Sequence, residues 1–297
     1  MPKTLSRWRP LHAQPPSPQG FVLHRVSATW LVLARSLERP LVRLGLADRE
    51  TREQLFRRAP RRGRGAAPSV ELTPHTSVLL RGYRHGGIAG PWFGGLLLGP
   101  RRPLLELSVT TRARAAGAPV AEALCTVVWP RLGPLWSALI GTRLESGALD
   151  GVDAIARARS AAERVRLARA AGRALRKLHE VGVDHADLHL RNLLVHDLHG
   201  SPRVVVIDLD RARFLDRPLP PSRRAGNLGR LIRSAVKHAL WPEPLGRREL
   251  AAFLGAYTAE DRSLRSALRT HATRERALLA LHRIGYRLAA RAPSSQA

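Results

Sequence analysis

Short apolar and β-branched runs separated by turn residues dominate the first half of the chain, a pattern typical of strands. Two such runs open the folded part, at Phe21–Val26 and Thr29–Leu33. Two segments have helical character, about Glu38–Phe56 and Leu104–Ala116. The remaining strands are predicted at Val70–Leu72, Ser77–Tyr83, Val127–Trp129 and Leu135–Ile140. The pattern therefore predicts a small sheet accompanied by helices.

The second half has a helical pattern, because Val152–Val181 consists almost wholly of Ala, Arg, Leu and Glu, all good helix formers. An apolar stripe recurs there at three- and four-residue spacing. It consists of Val165, Ala168, Ala171, Leu175 and Leu178. Gly182 stands where a C-terminal cap belongs. Two short apolar strands follow, and helices are expected after them.

These changes of pattern divide the chain into four parts. We expect a basic, proline-rich tail at 1–19, a β-rich lobe at 20–143, a helical lobe at 144–290 and a second tail at 291–297. A hinge is predicted near Gly141–Glu145. The Arg-dense stretch Arg57–Gly65 is predicted to be an exposed loop, because it cannot pack as a core element.

The formal net charge of +27 is carried almost entirely by arginine, since only three of the 50 basic residues are lysines. This bias fits a GC-rich genome, and it also fits a surface that binds phosphate or anionic lipid. No nucleic-acid partner is expected, because helix-turn-helix and zinc-finger signatures are absent from the sequence and aromatic residues make up only 5%. No obligate protein partner is evident.

The lone Cys125 excludes an intramolecular disulfide framework and is expected to be buried. The sequence contains neither the apolar core of a signal peptide nor an apolar stretch long enough for a transmembrane helix. Gly86–Pro100, followed by Arg101 and Arg102, has two open interpretations. It suits an ordinary glycine-rich connection, and it also suits a loop that dips into a lipid headgroup layer.

The strongest chemical signal lies between His185 and Asp210. Asp187 and Asn192 are five residues apart in a loop that leads into an apolar strand, and Asp208 follows a second apolar strand. Paired strands would bring these three side chains to one edge. Phosphoryl transfer from ATP needs such a set, namely a carboxylate that takes the hydroxyl proton and oxygen ligands for Mg²⁺. We therefore predict Asp187 as the catalytic base and Asn192 and Asp208 as the metal ligands.

This spacing resembles the protein-kinase pattern in which H-R-D-L and an asparagine precede a strand and D-F-G. Here Ala186 replaces the arginine, and Leu209-Asp210 replaces Phe-Gly. The resemblance implies an α+β, protein-kinase-like two-lobe fold with a small β-rich N-lobe and a larger helical C-lobe. The alternative is structural, because Asp and His in loops also cap helices and close turns.

A kinase-like first lobe should supply a phosphate-covering loop, a basic strand residue and a helical glutamate. Arg81 stands where lysine is usual in the strand, and Glu106 lies on the following helix, so an ion pair between them is expected. Gly63 and Gly65 form a fragment of a glycine-rich loop. The remaining candidates for ATP binding are Thr142, Arg143 and Leu144.

Several segments together resemble the bacterial lipopolysaccharide kinase family, and most closely its Kdo (3-deoxy-D-manno-octulosonic acid) kinases. The segments with the strongest resemblance are a Tyr-Arg-x-Gly-Gly string and an Asp-x-Asp-Arg ending, which general protein kinases lack. The matching segments are Gly63–Gly65, Leu80–Gly87, Leu105–Leu107, Ala116–Val120, Leu178–Leu188, Ile207–Arg211 and Asn227–Ser234. They cover roughly residues 20–240.

The resemblance implies phosphorylation of a hydroxyl of Kdo in the lipopolysaccharide inner core, with ATP and Mg²⁺ as cofactors. It also implies a lipid A–Kdo glycolipid acceptor and a peripheral location at an anionic membrane surface, the cytoplasmic face of the bacterial inner membrane. Asp187 is the matching active-site aspartate. Candidate substrate-binding residues are Arg64, Arg84, Arg191 and Asp210.

Two other functions remain open. One is a kinase of the same fold that acts on a small molecule or a protein, although such enzymes typically retain the strand lysine. The other is an inactive basic scaffold that binds RNA or membrane. Retention of Asp187, Asn192 and Asp208 together argues against the scaffold.

Overall fold

The computed structural model describes residues 18–59, 61–62, 65–83, 95–259 and 261–271. They belong to two compact units, the first from residues up to 115 together with 120–146, and the second from 116–119 together with residues from 147 onward. The segment 116–119 joins the second unit, where the Pro119 carbonyl accepts a hydrogen bond from the Val206 N–H at 2.7 Å.

The first unit is built on an antiparallel sheet. Its strands are β1 (Phe21–Val26), β2 (Thr29–Ala34), β3 (Arg61–Arg62), β4 (Gly65–Ala66), β5 (Ser69–Thr73), β6 (Thr76–Gly82), β7 (Leu97–Leu98), β8 (Ala123–Pro130) and β9 (Leu135–Arg143). In the large sheet they follow the order β1-β2-β8-β9-β6-β5, with β7 also paired to β9. Every residue of β2 is buried, as expected for an inner strand of mainly apolar composition. The helices are α1 (Glu38–Arg43), α2 (Arg49–Arg58) and α3 (Arg101–Ala115).

The single helix predicted at Glu38–Phe56 is wrong, because α1 and α2 are separate helices. Gly45 between them has a φ of +65°, a conformation that glycine adopts without a Cβ penalty. Asp48 then caps α2, since its carboxylate accepts a hydrogen bond from the Thr51 N–H at 2.7 Å. A positive φ followed by an N-cap stops one helix and starts another within a few residues.

The sequence predicts that the Arg-dense stretch Arg57–Gly65 is an exposed loop, but parts of it have regular secondary structure. Arg57 and Arg58 form the last turn of α2, and the short strands β3 and β4 pair antiparallel with each other. Arginine at a helix C-terminus is favoured by the helix dipole, which explains why the helix can include Arg57 and Arg58.

The first three residues of the predicted hinge, Gly141–Arg143, belong to β9, which pairs with both β6 and β8. Gly141 packs in the core. A Cβ at this position would lie 2.5 Å from the Cys125 sulfur and 2.8 Å from Val78 Cγ2, so only glycine fits. Cys125 is fully buried, as predicted, and burial raises the pKa of its thiol to about 12.

The second unit is mainly helical, with short strand pairs that carry loops. Its strands are β10 (Leu149–Asp150), β11 (Val183–Asp184), β12 (Leu193–His196), β13 (Arg203–Val206) and β14 (Arg213–Phe214). Its helices are α4 (Gly151–Arg157), α5 (Ala161–Glu180), α6 (Pro221–Lys237) and α7 (Arg247–Thr258), and residues 262–271 are also helical. The strand β12 pairs with β10 and β13, and β11 pairs with β14.

The predicted helical region Val152–Val181 is interrupted at residues 158–160, where Ser160 caps α5 by accepting a hydrogen bond from the Glu163 N–H at 3.2 Å. Gly182 ends α5 with a φ of +93°, as its predicted cap position requires. A Cβ there would meet the Leu215 and Arg217 carbonyls. No described helix combines the length and apolar character that crossing a bilayer would take.

Candidate active site

The loop between β11 and β12 carries Asp187, whose side chain is exposed. Its N–H donates to the His185 carbonyl at 2.7 Å, which makes a tight turn. Ala186 within this turn has a φ of +58°, a left-handed conformation that is uncommon for residues other than glycine. Such strained positions persist only where neighbouring groups hold them, and they cluster at functional sites.

Asn192 and Asp208 lie beside this turn because β12 and β13 are paired. Asn192 ends a short 3-10 helix, Leu190–Asn192, and its side-chain nitrogen donates to the Asp187 carbonyl at 3.1 Å. Its own carbonyl accepts from the Ile207 N–H at 2.9 Å, so Asp208 is the next residue along. Asp208 also has a positive φ, +64°. The structure therefore brings together the three residues that the spacing predicted.

The histidines around this turn are hydrogen-bonding or packing residues. His185 is fully buried, and its Nε2 donates to the Ile207 carbonyl at 3.0 Å, which ties the turn to the residue before Asp208. Burial lowers the pKa of His185, and burial likewise lowers the pKa of the half-buried His189 despite the opposing charge of Asp187. Both imidazoles are therefore kept neutral near pH 7.

The oxygen groups at this turn fit a hard cation such as Mg²⁺. Because the Asn192 nitrogen faces the Asp187 carbonyl, the amide oxygen is the atom that a cation would meet, and Asp208 supplies a carboxylate. No cluster of three or more His, Cys, Asp or Glu that could hold a metal occurs in the described part of the chain. Mg²⁺ commonly binds through one or two carboxylates together with substrate phosphates, so this donor set suffices only with a nucleotide present.

In the first unit, the expected ion pair between Arg81 and Glu106 forms, with 2.5 Å between Nη2 and Oε1. Arg81 lies in β6 and Glu106 in α3, where it is almost fully buried. The Tyr83 hydroxyl donates to the other oxygen of Glu106. A buried carboxylate held by a cation and a phenol has a fixed position, and it fixes the guanidinium in turn.

The other residues predicted to bind the nucleotide differ in their surroundings. The Arg143 side chain donates to Glu122 and Thr76 within the first unit, at 2.7 and 2.6 Å. Thr142 takes part in the strand ladder, and the Leu144 N–H donates to the Ser77 carbonyl at 2.8 Å. Gly65 lies in β4, while Gly63 lies outside the described residues.

Of the predicted substrate residues, Arg191 is exposed and forms an ion pair with Asp150 at 2.6 Å. Asp150 also caps α4, by accepting from the N–H groups of Val152 and Asp153. Asp210 is half-buried two residues beyond Asp208. Arg64 and Arg84 lie outside the described residues.

Two residues that contact the loop carrying Asp187 were missed by sequence reasoning. Asn227 and Ser234 of α6 accept hydrogen bonds from the N–H groups of Ala186 and Leu190, on either side of Asp187. In the sequence both residues belong to the segment Asn227–Ser234, which matches the family but gives them no role. Their seven-residue spacing puts them on one helix face, and this was the one available signal.

Comparisons with known proteins agree on one family. The model of the Lipopolysaccharide kinase (Kdo/WaaP) family matches residues 51–257. A 3-deoxy-D-manno-octulosonic acid kinase of Vibrio cholerae is 30% identical over 205 residues, covering 67% of this chain and 82% of its own length. The corresponding kinase of Xylella fastidiosa strain 9a5c is 31% identical over 184 residues, covering 59% of this chain and 68% of its own length.

A solved structure, WaaP in complex with acyl carrier protein, has a similar fold with a TM-score of 0.53 and 22% identity, and covers 82% of this chain and 98% of its own. This likeness confirms the predicted α+β, protein-kinase-like fold.

Proposed function

Because the chain belongs to the lipopolysaccharide kinase (Kdo/WaaP) family, we propose that it transfers a phosphoryl group from ATP to a hydroxyl of Kdo in the lipopolysaccharide inner core. The family makes the chain a phosphotransferase of lipopolysaccharide biosynthesis. The Kdo acceptor is the finer part of the proposal, supported by relatives that are about 30% identical.

The proposal depends on two direct hydrogen bonds of Asn192. Its side chain bonds the Asp187 carbonyl, and its own carbonyl bonds the N–H of Ile207, the residue before Asp208. Asp187 is exposed at a strained turn, where its carboxylate can reach an incoming hydroxyl group. In the proposed reaction Asp187 accepts the proton of the acceptor hydroxyl as its oxygen attacks the γ-phosphorus of ATP. The bond from the γ-phosphorus to the bridging oxygen breaks, and ADP leaves.

Asn192 and Asp208 would hold Mg²⁺ through one amide oxygen and one carboxylate. When bound, the ion offsets the negative charge of the ATP phosphates. A neutral amide beside a single carboxylate neutralises only part of the charge of the ion, which leaves the remainder for the phosphates. Asn192 is also tied to the Asp187 backbone, so the proposed base and the proposed metal ligand have a fixed spacing.

ATP binding is assigned to the first unit. The guanidinium of Arg81, fixed by Glu106, can bind two phosphate oxygens at once, which an ammonium group cannot do with the same geometry. We retain Gly63 and Gly65 as parts of the phosphate-covering loop. The residues proposed to line the remainder of the nucleotide site are Thr142, Arg143 and Leu144.

The acceptor is proposed to be an anionic sugar on lipid A, for which the net charge of +27 is suited. Arg191 is the described arginine nearest to Asp187 along the sequence, and its guanidinium is held by Asp150. It is our candidate for the Kdo carboxylate, together with Asp210 for a sugar hydroxyl. The sequence-based candidates Arg64 and Arg84 are retained.

We propose that the protein acts peripherally at the cytoplasmic face of the inner membrane, and that one edge of the first unit contacts lipid. Leu98 and Leu132 are 83% and 79% exposed, an unusual degree for leucine. Leu98 ends β7 and Leu132 lies in the connection between β8 and β9. The hydrogen bond from the Gly99 N–H to the Pro134 carbonyl joins these two segments. The exposed Arg101 and Arg131 flank them. Apolar tips flanked by cations suit an anionic bilayer surface.

A liposome assay tests this membrane edge. Replacing both Leu98 and Leu132 by serine should weaken binding to anionic vesicles, whereas the control Val26→Ser, at a 50% exposed position, should not. Binding should also fall steeply with salt, because the Debye length decreases from about 10 Å at 0.1 M. Equal binding of neutral and anionic vesicles would contradict the proposal.

We also propose acyl carrier protein as a protein partner to test, since the similar WaaP structure is a complex with acyl carrier protein. Sequence reasoning had indicated no such partner. Size-exclusion chromatography of the purified chain with acyl carrier protein tests whether this association extends to it.

The decisive experiment is phosphotransfer from γ-labelled ATP by the purified protein, with lipid A–Kdo, aminoglycosides and protein as competing acceptors. Label on Kdo supports the proposal, and label on another acceptor supports the second kinase function. Asp187→Asn should remove nearly all turnover while retaining nucleotide binding, whereas Asp208→Asn should also weaken Mg²⁺-dependent nucleotide binding. RNA binding without transfer to any acceptor would support an inactive scaffold.

A further inference from the structure

One face of α6 contacts the loop that carries Asp187. Asn227 and Ser234 are seven residues apart on this helix, and both are buried. They accept hydrogen bonds from two backbone N–H groups of the loop, four residues apart. The function proposed above leaves these two side chains without a role, although buried polar groups at such positions are costly unless they are satisfied.

Asn227 holds the strained residue of the turn. Its Oδ1 accepts the Ala186 N–H at 3.2 Å, and Ala186 is the residue with a φ of +58° directly before Asp187. An alanine adopts this left-handed conformation only when surrounding groups hold it. The hydrogen bond fixes the His185–Ala186 peptide plane, and with it the start of the turn that leads into Asp187.

The rest of the Asn227 amide is constrained by two other groups. Its nitrogen is 3.1 Å from the Asp184 carboxylate and 3.3 Å from Nε2 of the buried His179. These two contacts use both N–H bonds of the amide, so the oxygen must face Ala186. Asp184 is itself held by Arg223 at 2.8 Å. The network thus permits one orientation of the amide.

Ser234 holds the other side of the loop. Its hydroxyl accepts the Leu190 N–H at 3.1 Å, at the first residue of the 3-10 helix that ends at Asn192. No side chain within that short helix caps it, since its N-cap residue His189 makes no capping hydrogen bond. Ser234 of α6 supplies the cap instead. It fixes where the short helix begins, and therefore the position of Asn192 at its end.

We propose that Asn227 and Ser234 are positioning residues for phosphoryl transfer, which fix Asp187 and Asn192 relative to each other. This inference rests on the proposed role of Asp187 as the catalytic base. For Asn227 it predicts an effect on the chemical step, because this residue holds the turn before the proposed base. For Ser234 it predicts in addition weaker Mg²⁺-dependent binding of ATP, because the short helix that Ser234 caps ends at Asn192, a proposed metal ligand.

The test compares Asn227→Ala and Ser234→Ala with wild type by kcat, KM for ATP and thermal midpoint. Small misplacements of a reacting group cost up to about 100-fold in rate, so kcat should fall by about 10- to 100-fold in both variants, with KM for ATP retained in Asn227→Ala and raised in Ser234→Ala. Ser234→Thr keeps the hydroxyl and should restore most of the rate. Leu228→Ala is the matched control, since it removes a buried apolar side chain from the same helix and should lower the thermal midpoint while kcat is retained.

A second comparison separates positioning from general damage. In an Asp187→Asn background, Asn227→Ala should lower the residual rate far less than in wild type, because the group it positions is gone. Equal fold-losses in both backgrounds would overturn the inference, as would a wild-type kcat in folded Ser234→Ala or Asn227→Ala. If Asn227→Ala does not fold, the kcat of Ser234→Ala and its restoration in Ser234→Thr test the inference instead. An active Asp187→Asn enzyme would instead refute the proposed base.

Discussion

Acidification should destabilise this protein through one buried imidazole, that of His179. Its side chain is fully buried in α5, where Nδ1 is 2.6 Å from the Tyr257 hydroxyl and Nε2 is 3.3 Å from the Asn227 nitrogen. Since the amide nitrogen can only donate, Nε2 accepts and Nδ1 carries the proton. Burial lowers the pKa of His179 to about 3.

Whether acid raises or lowers the free energy of unfolding depends on which state, folded or unfolded, binds the proton. Above the ordinary pKa of 6.5, His179 is neutral in both the folded and the unfolded chain, so it contributes no pH dependence. Between 6.5 and about 3 only the unfolded chain binds the proton, and the free energy of unfolding therefore falls as the pH falls. Each pH unit in this window costs about 1.4 kcal/mol, or about 2 kcal/mol at about pH 5.

Urea unfolding followed by circular dichroism, at about pH 7.5 and about pH 5, measures this loss. His185 and His189 act in the same direction, so wild type must be compared with His179→Gln, whose amide can still bond Asn227 and Tyr257. We expect the free energy of unfolding of wild type to fall by about 2 kcal/mol more than that of the variant. Equal losses, or an NMR titration of His179 near pH 6, would refute the reasoning.

Three further predictions concern the first unit. Gly141→Ala should lower stability by about 1–3 kcal/mol in chemical unfolding, because its Cβ would press on Cys125; an unchanged midpoint would contradict the tight packing. Iodoacetamide should alkylate Cys125 at about pH 8 only after unfolding, since the native thiol is buried and its pKa is raised to about 12. Arg81→Met should raise KM for ATP about tenfold or more, and Arg81→Lys less, because lysine keeps a charge opposite Glu106; equal KM values would refute the assignment.

The proximity of Asp187, Asn192 and Asp208 was predictable because its signal is local. Asp187, Asn192 and Asp208 lie within one stretch that two adjacent paired strands bring together, and spacing along the chain reports such an arrangement directly. The same holds for the strands of the first unit, whose apolar runs alone indicate burial. Gly182 was placed correctly as a helix cap because a positive φ strongly favours glycine.

Local composition gave the wrong helix boundaries where a few specific contacts outweigh helix propensity. The segment Glu38–Phe56 has good helix formers on both sides of Gly45, yet a positive φ and the Asp48 cap divide it. Helix propensity is a weak preference of a few tenths of a kcal/mol per residue, and a cap of about 1 kcal/mol outweighs it. The interruption before Ser160 has the same cause.

By itself the sequence determined the order of the main strands and helical regions, the kinase-like loop and the oxygen groups suited to Mg²⁺. Only the tertiary structure decided how that loop is held. Asn227 meets Ala186 across 41 residues, Ser234 meets Leu190 across 44, and Tyr257 meets His179 across 78. Such contacts join a side chain to a distant backbone group or imidazole. The seven-residue spacing of Asn227 and Ser234 places them on one helix face, but nothing along the chain identifies their partners, because that geometry exists only once the helices have packed.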